Sequence, residues 1–257
     1  MQVNNADAAP PAPTRRRRVR AATVTEIKQT ARQLLVGSGA AGVSLRAIAR
    51  EMGMTAPGLY RYFSGLEDLL EALQVDCFEE LTAHVRAAIA ACPDHDLDGQ
   101  TNAAARAFRE WATQFPAEFT LLFGPESGHH SACPEAGPAR DAGERFGAVF
   151  FSLFYRIWAE QRFVPPRPQT VPDGLKHSLA PFAEIASCGQ DRQVPVEAIR
   201  VLASVWARLY GLICMEVFHQ LDYVVRDMGP LFEAELREIL ELVGVEYRTP
   251  TCDHDSG

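Results

Sequence analysis

Tyr60, Arg61 and Tyr62 stand between Leu59 and Phe63, a pair whose spacing suits the buried side of a helix. Two phenols and a guanidinium left on the solvent side suit contacts to phosphates and base edges. Arg46 sits beside a second apolar face, made by Leu45, Ile48, Ala49 and Met52, and points off it. An arginine so placed can pair both acceptors of guanine in the major groove. Arg50, one turn on, fits a solvated role as well. Thr55, Ala56, Pro57 and Gly58 are small enough for a helix end to approach a groove and pack on thymine methyls. Tyr60 and Tyr62 are expected on phosphates, which sets register without reading sequence.

Holding these residues requires two short helices and a tight turn. Ser44 is an N-cap residue type for the first helix. Gly53 follows the last periodic position, where a left-handed backbone costs glycine little. Thr55 can cap the second helix, and Pro57 falls in its first turn, where a missing N–H does no harm. Ser64-Gly65-Leu66-Glu67 reads as a capping box opening the next helix. The arrangement is a helix-turn-helix. A plain helical hairpin shares the glycine turn, but the exposed Tyr60-Arg61-Tyr62 favours DNA.

Charge supports that reading only when it is located. The 257 residues carry a formal net charge of −8. From Thr14 to Tyr62 there are ten basic residues against Glu26 and Glu51, or +8, which leaves −16 elsewhere. A basic module on an acidic body fits a nucleic-acid reader whose larger part does something else. Arg15, Arg16, Arg17 and Arg18, with Arg20, follow a proline-containing stretch poor in large apolar groups. They are expected as a disordered basic arm over residues 1–20 that adds electrostatic affinity.

The next segment, Thr23 to about Val36, is predicted as the first helix. A Thr23/Glu26 capping box opens it, and Ile27, Ala31, Leu34 and Leu35 form its stripe. Lys28 and Arg32 face away from the stripe, toward a DNA backbone. The domain organisation is then a helix-turn-helix DNA-binding domain over 21–68, a helical ligand-binding and dimerisation domain over 69–246, and a loose tail over 247–257. A long helix runs from Ser64 to just before Cys92-Pro93. Further helices are expected at Gln100–Phe115, Pro116–Phe123, Gly143–Trp158, Gly174–Ser187, Val196–Leu221 and Leu231–Val243. The fold class is all-α. No apolar run is read as long enough to span a bilayer, and no membrane partner is expected. Six cysteines without a paired CxxC suit reduced thiols in a cytoplasmic protein.

The segment IAREMGMTAPGLYRYF resembles the signature of the tetracycline-repressor (TetR) family, over roughly residues 22 to 75. Where that family usually carries a lysine before the Glu that opens its fourth helix, this chain has Leu66. WARLYGLICMEVF is similar to a subgroup with a Trp-x-x-x-His-Gly pattern, with Tyr210 in place of the His. The resemblance implies a homodimer whose last two long helices form a four-helix bundle. It further implies an inverted-repeat operator in double-stranded DNA, and a repressor released by a small apolar effector. On that expectation Leu202, Trp206, Leu209, Gly211 and Ile213, with Leu236 and Leu240, are candidate dimer residues. Phe108, Trp111, Phe115, Phe150, Phe154, Trp158 and Glu216 are candidate pocket residues on that expectation, while aromatics at helical spacing are more often core than a binding box. Glu216 and His219 could equally face solvent or serve a buried hydrogen bond.

His129, His130, Cys133 and Glu135 have metal-ligand chemistry but lack the paired spacing of a structural zinc site. HExxH, a Gly-rich phosphate loop and a nucleophile elbow are absent, so neither an enzyme nor a cofactor is expected. A metal- or redox-sensing regulator using Cys77, Cys92, Cys188 or Cys214 is the alternative, and the apolar neighbours of these thiols favour inert packing.

Overall fold

The computed structural model describes residues 14–124 and 137–250, and every long element among them is a helix. The chain divides between Gln74 and Val75 into two units. The dividing point lies inside a continuous helix, α4 (Leu66–Ala90), six residues later than the 68/69 boundary read from sequence.

The amino-terminal unit holds α1 (Arg15–Ser38), α2 (Leu45–Glu51), α3 (Ala56–Leu59) and the first turns of α4. Its core is the set expected from periodicity: Ile27, Ala31 and Leu35 on α1, Leu45, Ile48 and Ala49 on α2, then Leu59 and Phe63. Three expectations are corrected. The basic arm is helical from Arg15, because the Thr14 hydroxyl accepts from the Arg17 N–H at 3.4 Å and arginine extends a nucleated helix at little cost. Thr23 therefore caps nothing; its hydroxyl donates to the Val19 carbonyl one turn back. At α4 the residue that reaches back is Asp68 and not Glu67. It accepts from the Ser64 N–H at 2.7 Å and the Ser64 hydroxyl at 3.1 Å.

The second unit contains the rest of α4, then α5 (Leu97–Gln114), α6 (Pro116–Phe123) and α7 (Pro138–Ala159). It ends with α8 (Asp173–Ser187), α9 (Val196–Val217) and α10 (Met228–Glu241). α5 packs on α6, α7 and α9, while α9 also packs on α8 and α10. Phe108 of α5, fully buried, is the centre of this core. It stacks on Trp206 with ring centroids 5.8 Å apart and an interplanar angle of 4°, and Trp206 stacks in turn on Tyr210. Phe119, Phe123, Phe146 and Phe150 meet the Phe108 ring edge-on or tilted. Such pairs are each worth about 0.5–1.5 kcal/mol beyond the area they bury.

Polar clamps join these helices. Arg109 binds Glu216 through two 2.7 Å bonds, linking α5 to α9. Arg106 binds Glu233 at 2.9 and 2.7 Å, linking α5 to α10. The tail expected to be loose is tied down as far as Arg248: Asn102 donates to the Glu246 carbonyl and accepts from the Arg248 N–H, and Tyr247 donates to Glu233. By length and composition α9 is apolar enough to cross a bilayer, contrary to the sequence reading. In this fold it lies against α5, α8 and α10, with Arg208 paired to Glu235 and Glu238.

Candidate functional site

The turn between α2 and α3 is built as its residue types dictate. Ser44 caps α2, its hydroxyl accepting from the Ala47 N–H at 3.1 Å. Gly53 takes φ +63°, and the Met54 N–H closes the turn on the Ala49 carbonyl at 2.8 Å. A Cβ-bearing residue pays a steric cost in that left-handed region. Thr55 occupies the N-cap of α3 without a side-chain capping bond, and Pro57 falls in the first turn. The second helix of the motif is shorter than the Thr55–Phe63 spacing suggests. Its regular part ends at Leu59, and Tyr60 to Tyr62 continue as turns, with Tyr62 and Phe63 N–H groups both returning to the Leu59 carbonyl.

That geometry brings the expected contact residues to one unit and sorts them. Arg46 and Arg61 are exposed, and Tyr60 is 59% exposed. Thr55 and Pro57 are exposed beside them, while Ala56 and Gly58 are half-buried. Gly58 is close enough to its neighbours that a Cβ would lie 3.3 Å from the Thr55 hydroxyl. Tyr62 is half-buried, because the Arg20 guanidinium covers its ring at 5.3 Å while donating to the Arg61 carbonyl at 3.1 Å. Arg20 was read only as part of a charge run, and nothing local in the sequence marks this contact. Arg15 to Arg18 are all exposed on the first turns of α1. Leu66, where the TetR signature has lysine, is the first residue of α4 and half-buried.

In the body the aromatic candidates are mostly core. Phe108 and Trp111 are buried among other rings, and the Trp158 indole N–H donates to the Gln193 carbonyl under the Arg192 guanidinium. Phe115 is half-buried against Trp111. Glu216 serves the half-buried hydrogen bonding that its alternative reading allowed, both its oxygens being held by Arg109. His219 is exposed next to Asp222. A narrow cavity of about 60 Å³ does open between α5, α7, α9 and α10. Phe150 and Phe154 line it, together with Thr101, Leu153 and Ile157, which the sequence reading passed over. Thr101 is the sole residue with a polar side-chain group in the lining apart from the Trp206 indole.

The same cavity overturns part of the dimer assignment. Leu202, Trp206, Leu209, Leu236 and Leu240 line it from α9 and α10. Leu209, Ile213, Leu236 and Leu240 are buried inside the subunit and offer no surface to a second copy. Leu202 and Trp206 are half-buried, and at Gly211 nothing lies within 4 Å of where a Cβ would stand. Tyr210 donates to the Phe123 carbonyl at 3.1 Å, and burial pushes its phenol well above the ordinary tyrosine range.

Of the thiols, Cys77 is buried, Cys92 and Cys214 are half-buried, and Cys188 is exposed; burial pushes the Cys214 thiol up, away from thiolate reactivity. His129, His130, Cys133 and Glu135 lie outside the described residues.

Comparison with known proteins follows the same division. Residues 27–73 match the model of bacterial regulatory proteins of the tetR family, and residues 101–239 match that of the tetracyclin repressor-like C-terminal domain. The HTH-type transcriptional regulators Rv1816 of Mycobacterium tuberculosis and Mb1846 of Mycobacterium bovis are each 32% identical over 235 residues, 89% of this chain and 95% of theirs. Among solved structures, the regulatory protein SCO4313 aligns with a TM-score of 0.65 at 29% identity, over 89% of this chain and all of its own. A protein of unknown function from Rhodococcus sp. RHA1 shares the fold at a TM-score of 0.62 and 19% identity, over 88% of this chain and 95% of its own.

Proposed function

This chain belongs to the TetR family of bacterial transcriptional regulators and carries its helix-turn-helix DNA-binding module; from that premise we propose that it is a ligand-released repressor of an inverted-repeat operator. The observation that carries the DNA reading is the exposure of Arg46, Tyr60 and Arg61 around a capped, glycine-turned helix pair. Arg46 reads a base edge, Tyr60 and Arg61 hold phosphates, and the small Thr55–Gly58 end allows close approach.

A homodimer presents two such modules one duplex turn apart, roughly 34–36 Å. Its interface is drawn from exposed faces and not from the buried Leu209, Leu236 and Leu240. α8 exposes Leu175, Phe182 and Ile185, the last 73% exposed. α9 exposes Ala203, Ala207 and Met215, on the side where Gly211 leaves room for another backbone. Exposed apolar residues grouped on two adjoining helices favour a protein partner.

The effector is small and almost wholly apolar, since the cavity offers it one hydroxyl and one indole. It binds by widening the gap between α5, α7, α9 and α10, so it favours a body conformation that the operator does not. Selection of bound duplexes from a random pool at physiological salt tests the premise of the scheme. Recovery of an inverted repeat is the expected result. Binding without a motif, vanishing as salt rises, would remove the repressor reading. Ile185→Arg is expected to give monomers in sedimentation and to abolish binding to the full repeat.

A further inference from the structure

Arg15, Arg16, Val19 and Arg20 recur at i, i+1, i+4 and i+5, so the first turns of α1 carry three guanidiniums on one side. That side and the Arg61-Tyr62 pair line an open cleft of about 520 Å³. Arg20 is part of its wall, held by the Arg61 carbonyl and the Tyr62 ring. Arg15, Arg16 and Arg61 are exposed, and among the described residues no carboxylate lines the cleft with them. Four like charges around one concavity repel each other until an anion enters. Arg17 and Arg18, equally exposed, do not line the cleft.

We infer that this cleft is a discrete phosphate seat, taking one backbone phosphate of the duplex beside the base pairs that α2 and α3 read. Arg15, Arg16 and Arg61 donate to its oxygens, and Arg20 and Tyr62 hold the wall. The inference rests on the DNA-binding reading above and sharpens it. A flexible arm tracks phosphates diffusely, whereas residues helical and continuous with α1 meet the backbone at one set distance from the recognition residues. Phosphate is the shared chemistry of DNA and free anions. The duplex is the source favoured here, because Arg61 directly follows the exposed Tyr60 of the helix-turn-helix.

Phosphate-ethylation interference on the selected duplex, with the full chain, tests this. The unsubstituted protein is expected to show a flanking phosphate whose ethylation blocks binding. R15Q/R16Q loses that position and lowers the slope of log affinity against log salt by about one, the count for a single neutralised phosphate. R61Q, which leaves α1 intact, weakens the same position. R17Q/R18Q keeps it and changes the slope less than half as much. Matched helicity and urea midpoints exclude unfolding as the cause. If the two double variants behave alike, or if R61Q leaves the flanking position at full strength, the arginines act as diffuse charge and the seat does not exist. If addition of inorganic phosphate at constant ionic strength competes for the flanking contact alone, the cleft is a free-anion site. If the unsubstituted protein selects no duplex, the DNA-binding reading itself fails, a result distinct from all of these.

Discussion

The two units use arginine in opposite ways. In the body, Arg106, Arg109, Arg162, Arg208 and Arg248 each end on a carboxylate from another element: Glu233, Glu216, Asp98, the Glu235/Glu238 pair and Asp96. In the amino-terminal unit, Arg15, Arg16, Arg46 and Arg61 are exposed, and no such pair is formed by them among the described residues. The cause is the supply of counter-charge. Ten basic residues meet two acids between Thr14 and Tyr62, while the rest of the chain sums to −16. An acidic body can supply a carboxylate to arginines it half-buries, such as Arg106, Arg109, Arg162 and Arg208, and turn them into clamps between elements. A basic module cannot, and its cations stay available to a polyanion.

The contrast breaks most visibly at Arg109. Arg109→Ala leaves the Glu216 carboxylate, 15% exposed, without its partner. Removing one member of a buried pair costs about 3–5 kcal/mol, and the residual solvent access of this pair places the expected loss near the lower figure. Urea unfolding at unchanged slope reads it out. Arg109→Met combined with Glu216→Leu is expected to recover most of the loss, because an apolar pair leaves no charge stranded. A shift too small to measure for the single change would mean that body and module arginines do not differ in kind.

Arg46→Ala is the mirror experiment. Stability should stay within about 0.5 kcal/mol, as for other exposed positions, while specific DNA binding weakens by about 1–3 kcal/mol. Competition titrations with specific and random duplex separate the roles. Equal loss on both makes Arg46 a phosphate contact and not a base reader. Gly53→Ala should cost about 1–2 kcal/mol of stability, since alanine must hold φ +63°. Its effect on DNA affinity at temperatures where the protein stays folded would show how much the turn angle matters to the reader.

The smallest effect is a pH dependence confined to the body. Burial alone would raise the Glu233 carboxyl, but the bonds from Arg106 and Tyr247, with the charges of Arg106 and Arg109, hold it below the ordinary value of 4.5. A depressed carboxylate contributes stability that is complete above its unfolded value and is lost as pH falls through the folded one. Unfolding free energy should therefore decline below about pH 4.5 with a slope that Glu233→Gln reduces. DNA affinity at fixed salt above pH 5 should be indifferent to that substitution.

Much of the module was legible residue by residue. Ser44 caps α2, Gly53 turns the chain, and Ile27, Ala31, Leu59 and Phe63 are buried where spacing put them. What failed there was the assumption that a run of arginines without apolar neighbours stays disordered. Thr14 and the helix already nucleated beyond it were enough to extend α1 to Arg15. In the body the helices were found but their faces were not. Phe108 and Trp111 read as core or as pocket and are core; Leu209 and Leu236 read as interface and are buried in the subunit.

The residue order by itself determined which segments are helical, that Ser44 caps α2 and Gly53 turns the chain, and how charge is parted between the two units. Those are short-range properties, set by neighbours within four positions and by composition. The tertiary structure alone decided the rest. Arg109 and Glu216 are 107 residues apart, and nothing local pairs them. α9 is apolar on more than one side, and periodicity cannot say which side its own domain takes and which it leaves open. Packing against α5 and α10 settled that, burying Leu209 and Ile213 and leaving Ala207 and Met215 outside.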